Sequence, residues 1–165
     1  MNKIRQTSSD KVNGKLVRYR EGDCISINVN NRYLGAIMTG KFNKYYNLTL
    51  MEFELPDRPK LSDFLNSRFF GTRFGSWEDL TYAVDQQMVT CKYVDNDDNF
   101  EKIGSIQLIQ NVMPAGYSYL TDRTDIFDYF STQLPIRIEK SNNAAKFPAI
   151  AFVGKHLIET EKIII

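Results

Sequence analysis

The chain has 165 residues, enough for one ordinary domain with a buried core. Its composition is that of a globular protein, 42% hydrophobic and 25% charged, and 21 Lys and Arg against 20 Asp and Glu leave a formal charge of +1. That balance argues against a dedicated nucleic-acid binder, which carries a clear basic excess.

Residues 1–15 are polar and expected to be frayed, leaving 16–165 as a single β-rich domain. Met1 to Asp10 offers no apolar core of signal-peptide length. No run approaches the roughly 20 apolar residues of a membrane helix. Cytoplasmic placement without a membrane partner is therefore expected. Leu16 to Tyr19 reads as a short strand leading into turn chemistry at Glu21-Gly22-Asp23. Ile25, Ile27 and Val29 then alternate with Cys24, Ser26 and Asn28, the period-two pattern of a strand. Asn30-Asn31 tolerates the left-handed backbone of a tight hairpin, and Tyr33 to Met38 returns as its partner strand, ending at Gly40.

Lys41 to Asn47 reads as a loop with three aromatics, Phe42, Tyr45 and Tyr46, between Lys41 and Lys44. Such side chains close one end of a barrel, form an exposed recognition patch of the kind enriched at protein interfaces, or stack on single-stranded nucleic acid. A strand follows at Leu48 to Leu55, stopped by Pro56 and Pro59. Leu61, Phe64 and Leu65 share one face of a short helix. The segment from Phe69 to Trp77 is punctuated by glycines and carries no clear period. It is no phosphate loop, which needs Gly-Lys-Ser/Thr entering a helix.

Strands are expected at Gln87 to Val94 and Phe100 to Ile109, joined as a hairpin by the acidic segment Asp95 to Asn99. That segment lacks the sixth-position Gly and twelfth-position Glu of a calcium loop. Thr121 to Asp125 supplies N-cap candidates for a short helix carrying Ile126, Phe127, Tyr129 and Phe130. Further strands are expected at Ile136 to Glu139 and Ala149 to Val153, and the β-branched end, Ile163 to Ile165, should pair with another segment.

Cys24 and Cys91 form neither a disulfide framework nor a zinc site; they read as buried thiols or as one bridge between facing strands. His156 is the single histidine, which weakens histidine-based catalysis and points to a surface or hydrogen-bonded structural role. No metal, cofactor or enzymatic activity is expected.

Two stretches resemble a known family. Glu21-Gly22-Asp23-Cys24-Ile25-Ser26-Ile27 with Asn31-Arg32-Tyr33-Leu34-Gly35-Ala36-Ile37 is similar to the opening of the immunity protein 26 family. Phe100-Glu101-Lys102-Ile103-Gly104-Ser105-Ile106-Gln107-Leu108 resembles its aromatic-x-x-Ile-Gly-x-x-x-Leu strand. The similarity covers roughly Val17 to Pro114 and leaves the last fifty residues unmatched. It implies a bacterial antidote that binds a cognate toxin domain encoded nearby. The fold expected is α+β and mainly β, an SH3-like or related twisted barrel with two short helices. Asp95, Asp97 and Asp98 are candidate contacts for a basic toxin surface, with Tyr45 and Tyr46 beside them. A small-molecule-binding barrel and a nucleic-acid-binding barrel remain the alternatives. The first requires a pocket of roughly 300 Å³ or more lined by Phe and Tyr.

Overall fold

The computed structural model describes residues 11–12, 15–16, 18–75, 81–110, 112–146 and 152–165. Among these described residues lie ten strands and three α-helices. β1 (Lys11–Val12) and β2 (Lys15–Leu16) pair as a two-stranded sheet, so part of the segment expected to be frayed has its own pairing. The remaining strands form one eight-stranded mixed sheet. They are β3 (Asp23–Val29), β4 (Arg32–Phe42), β5 (Tyr45–Leu55), β6 (Arg68–Phe74), β7 (Thr81–Thr90), β8 (Phe100–Ser105), β9 (Pro114–Tyr119) and β10 (Phe152–Glu159). The helices are α1 (Leu61–Leu65), α2 (Cys91–Asp95) and α3 (Arg123–Lys146).

The sheet order is β10-β6-β7-β5-β4-β3-β8, with β9 added parallel to β7. It is not closed into a barrel. Instead β5, β6 and β7 pair mutually, all antiparallel. In a flat sheet, two strands antiparallel to a third run parallel to each other. These three pairings therefore require strong coiling, well beyond the ordinary twist.

The hairpin of β3 and β4 forms where the Asn pair predicts it. Asn30 and Asn31 both take left-handed backbone, with φ of 52° and 63°. Asn28 Oδ1 accepts from the Asn31 amide at 3.0 Å. Two glycines of the resembling segments have steric reasons to be glycine. A Cβ at Gly22, where φ is +92°, would overlap the Ile106 carbonyl oxygen, and one at Gly35 would enter the Phe53 ring.

Strand alternation divides the core. Ile25, Ile27, Leu34, Leu48, Phe70 and Leu157 face α2 and α3, with Phe100, Ile126 and Phe130 packed on them. Ile37, Met51, Phe69, Val84 and Ile158 face the other way, toward Phe64 of α1 and Ile163.

Several expected elements take another form. Lys41 to Asn47 is no loop: β4 and β5 continue through it, Phe42 pairs with Tyr45, and Asn43 turns at φ 55°. Phe69 to Phe74, left unassigned by periodicity, lies in β6 between β10 and β7. Cys91 is not in a strand. Cys91 and Val94 are buried three residues apart on α2, so β7 ends at Thr90 and the expected 95–99 hairpin does not form. β8 pairs with β3 instead. The expected strand at Ile136 to Glu139 lies inside the 24-residue α3. Of the strand expected at Ala149 to Val153, residues 149–151 lie outside the described set; the described strand there, β10, runs Phe152–Glu159. The last residues do pair: Leu108 bridges Ile164, and the Ile165 amide donates to the Gln107 carbonyl at 2.9 Å.

α3 begins at the expected cap, where Asp122 Oδ1 accepts from the Asp125 amide at 2.9 Å. At 1.5 Å per residue its length is about 36 Å, enough to cross the sheet from β3 to β10. Arg123 at its start reaches the Asn28 carbonyl of β3 at 2.6 Å, and Ser141 near its end exchanges hydrogen bonds with the backbone of Leu157 in β10.

Candidate functional site

The acidic segment is largely occupied within the chain. Asp95 Oδ1 accepts from the Tyr46 hydroxyl at 2.6 Å. That hydroxyl also accepts from the amides of Arg18 and Tyr19 at 3.0 and 3.3 Å. Burial raises the Asp95 carboxyl above its ordinary range, with the Tyr46 bond opposing it. Burial and the Asp95 bond push the Tyr46 phenol far above its own. Asp97 accepts from Arg123 Nε at 2.8 Å and from the amide and side chain of Asn99 at 3.0 and 2.8 Å. Burial works against its ionisation, but these bonds prevail and hold it at about 2. Asp98 is the exposed member of the three. Thus Asp95 anchors the core and Asp97 anchors the start of α3, while Asp98 faces solvent.

The aromatic hairpin divides by strand alternation. Tyr46 is fully buried in the main core, where its ring meets Tyr19 edge-on at 5.8 Å. Tyr45 and Phe42 lie on the opposite face, and Phe42 is 63% exposed. Their face continues into β7 and β9. Asn47 pairs with Met88, Gln86 with Tyr117, and Met88 with Tyr119. Tyr119 meets Tyr45 edge-on at 5.0 Å and Tyr117 at 5.3 Å. Tyr117 and Tyr119 remain 65% and 56% exposed.

These residues bound a groove of about 590 Å³ lined by Phe42, Asn47, Met88, Pro114, Tyr117 and Tyr119, with Lys41 and Gln86 at its polar edge. Asn47 is only 8% exposed, and its Oδ1 has no hydrogen-bond partner. Leaving such an acceptor unpaired costs roughly 1–3 kcal/mol. The nearby hydroxyls are committed elsewhere: those of Thr39 and Thr49 contact each other at 3.1 Å and reach the carbonyls of Asn47 and Asp85.

The chain matches no family model, no curated protein and no solved structure.

Among the described residues, no group of three or more His, Cys, Asp or Glu is placed to hold a metal ion, and no helix is long and apolar enough to cross a membrane. Both cysteines are free and buried, and burial pushes each thiol up to about 12, away from the reactive thiolate. His156 is neither at the surface nor hydrogen-bonded through its ring. It is buried, both ring nitrogens are unpartnered, and burial together with the charge of Arg73 lowers it to about 4.

Of the five residues singled out from sequence, the groove face takes Tyr45. Tyr46 and Asp95 meet each other inside, and Asp97 and Asp98 lie beyond them. Sequence reading missed Asn47, Met88, Tyr117 and Tyr119 as site residues. The signal available was the alternation Tyr117-Ser118-Tyr119, which sends two tyrosines to one side of a strand.

Proposed function

We propose that this chain is a non-enzymatic binding protein of the immunity type, which neutralises a bacterial toxin domain by docking on it through the aromatic face of β4, β5, β7 and β9. The toxin part of this reading rests on the resemblance of the β3–β4 hairpin and the β8 strand to the immunity protein 26 family. The surface part rests on one observation, the cluster of exposed rings at Phe42, Tyr117 and Tyr119 around a groove. Exposed aromatics of this size are uncommon on a surface with no partner, and Tyr is enriched where binding energy concentrates.

The docking is steric in character. Two of the three aspartates hold the chain's own fold, so the aromatic face rather than an acidic prong supplies the main contact. Coexpression tests the reading. The C-terminal domain of the product encoded beside this gene is expressed in a sensitive bacterium with and without this chain. Rescue with a one-to-one complex is the expected result. Toxicity that this chain does not relieve contradicts it.

A second reading has its own support. The groove exceeds the roughly 300 Å³ expected of a small-molecule site and is lined by Phe and Tyr. A small apolar ligand bound there, with no toxin partner, would establish that alternative.

A further inference from the structure

We propose that the free edge of β9 pairs with β9 of a second copy of this chain, antiparallel about a two-fold axis through Ser118. The inference stands apart from the toxin reading. Among the described residues, β8, β9 and β10 each pair on one side only. A bare strand edge invites pairing, and folds guard such edges with charge or cover. β8 carries Glu101 and Lys102, held by Arg58 and Asp23. β10 is covered by α3, whose Ser141 hydroxyl donates to the Leu157 carbonyl at 3.2 Å and accepts from its amide at 2.7 Å. β9 has neither guard. No charged residue lies between Pro114 and Leu120, and a Cβ at Gly116 would meet nothing within 4 Å.

The backbone supplies the register. Leu120 donates its amide to the Met88 carbonyl at 3.0 Å, on the β7 side. A peptide's carbonyl points opposite to its amide, so Tyr119 directs its C=O away from β7. The two-residue period then gives both Tyr117 and Tyr119 outward N–H and C=O groups. Gly116, at φ +138°, and the register shift between Val84 and Gln86 confine the irregular part of β9 to its start.

A two-fold axis perpendicular to the sheet keeps each face on its own side, so it passes through a residue and not between two. Through Ser118 it sets Tyr117 opposite Tyr119 of the second copy, and Tyr119 opposite its Tyr117. Each such pair exchanges both N–H···O bonds and lays ring beside ring, a favourable cross-strand match. Both rings are more than half exposed in the single chain. With no charge on β9 to select a foreign strand, this self-match commits the edge to a second copy. Edges join while faces stay open, so each chain keeps its groove. One short strand pair buries less than a standard interface, which makes the dimer weak and reversible.

Sedimentation equilibrium of the whole chain, alone in solution, tests this. The expected average mass rises from the 19.1 kDa of one chain toward twice that value between roughly 5 µM and roughly 1 mM. A monomer mass throughout, or growth past the dimer, overturns the inference. Ser118→Cys then locates the contact, because both native cysteines are buried and the introduced thiol is the accessible one. Opposed residues of a non-hydrogen-bonded pair stand about 4.5 Å apart at Cα, within disulfide reach. Under mild oxidation Ser118→Cys should form a linked dimer at least about tenfold faster than Ser105→Cys on the β8 edge. Equal rates assign dimerisation to another surface and overturn the inference.

Discussion

His156 carries a proton-linked cost that the fold accepts without a hydrogen bond. Its folded value of about 4 lies below the ordinary 6.5, so the unfolded chain takes up a proton first as the pH falls. The stability contributed by the neutral ring is complete above about 6.5 and is lost as the pH falls toward 4. His156→Leu should flatten the unfolding free energy across that window, and because neither ring nitrogen has a partner, it should cost little at pH 7. A denaturant series from pH 7 to 4 measures this; an unchanged slope contradicts it. Asp97 acts in a lower window. Its value is depressed from 3.8 to about 2, so its contribution is complete above the unfolded value and is lost as the pH falls from about 4 to 2. Asp97→Asn should lose roughly 1–2 kcal/mol at neutral pH and show a shallower acid limb. Tyr46→Phe removes the hydroxyl that joins Asp95 to the amides of Arg18 and Tyr19. It should cost about 1–3 kcal/mol, read from the shift in the urea midpoint.

At the scale of elements, α3 shows why part of the chain was hard to read. Its buried positions, Ile126, Phe130, Arg137, Ser141 and Ala144, do follow helical spacing. Two of them are polar, however, and Pro135 interrupts the run, so the apolar stripe fades after Phe130 and the segment 136–139 passes for a strand. What holds the second half of the helix is polar. Arg137 is almost fully buried, pairs with Asp85 of β7, and donates to the Gly71 carbonyl of β6 at 3.0 Å. Arg137→Met should destabilise by about 3–5 kcal/mol because it strands the Asp85 carboxylate, and adding Asp85→Leu should recover much of that loss. Thermal melts of the single and double variants decide between this and simple loss of packing, in which the second change adds to the damage. The β3–β4 hairpin was legible because an Asn pair with left-handed backbone and strict alternation report the same structure. The 91–99 segment was not, because Cys91 and Val94 suit a strand and a helical turn equally well until their partners are known.

For the whole molecule, sequence alternation established a mainly β chain but could not say that the sheet stays open. Closure depends on which edges meet, and β8 pairs with β3 while β10 pairs with β6. The mutual pairing of β5, β6 and β7 coils the sheet without joining its ends. The same long-range pairing assembles the aromatic face, since Tyr45 and Tyr119 are far apart in sequence and become neighbours only when β5 and β9 flank β7. Phe42 and Tyr119 are more than half exposed, so replacing both with Ala should leave the fold intact, at the loss of Tyr119's two ring contacts, while removing contact surface. The most direct measurement is the calorimetric affinity of the neighbour-encoded toxin domain for the unaltered chain and for this Phe42→Ala, Tyr119→Ala variant. The account predicts a one-to-one complex that weakens at least about tenfold in the variant, which still melts in a cooperative transition. Equal affinity for both chains, or no complex with either, would contradict it.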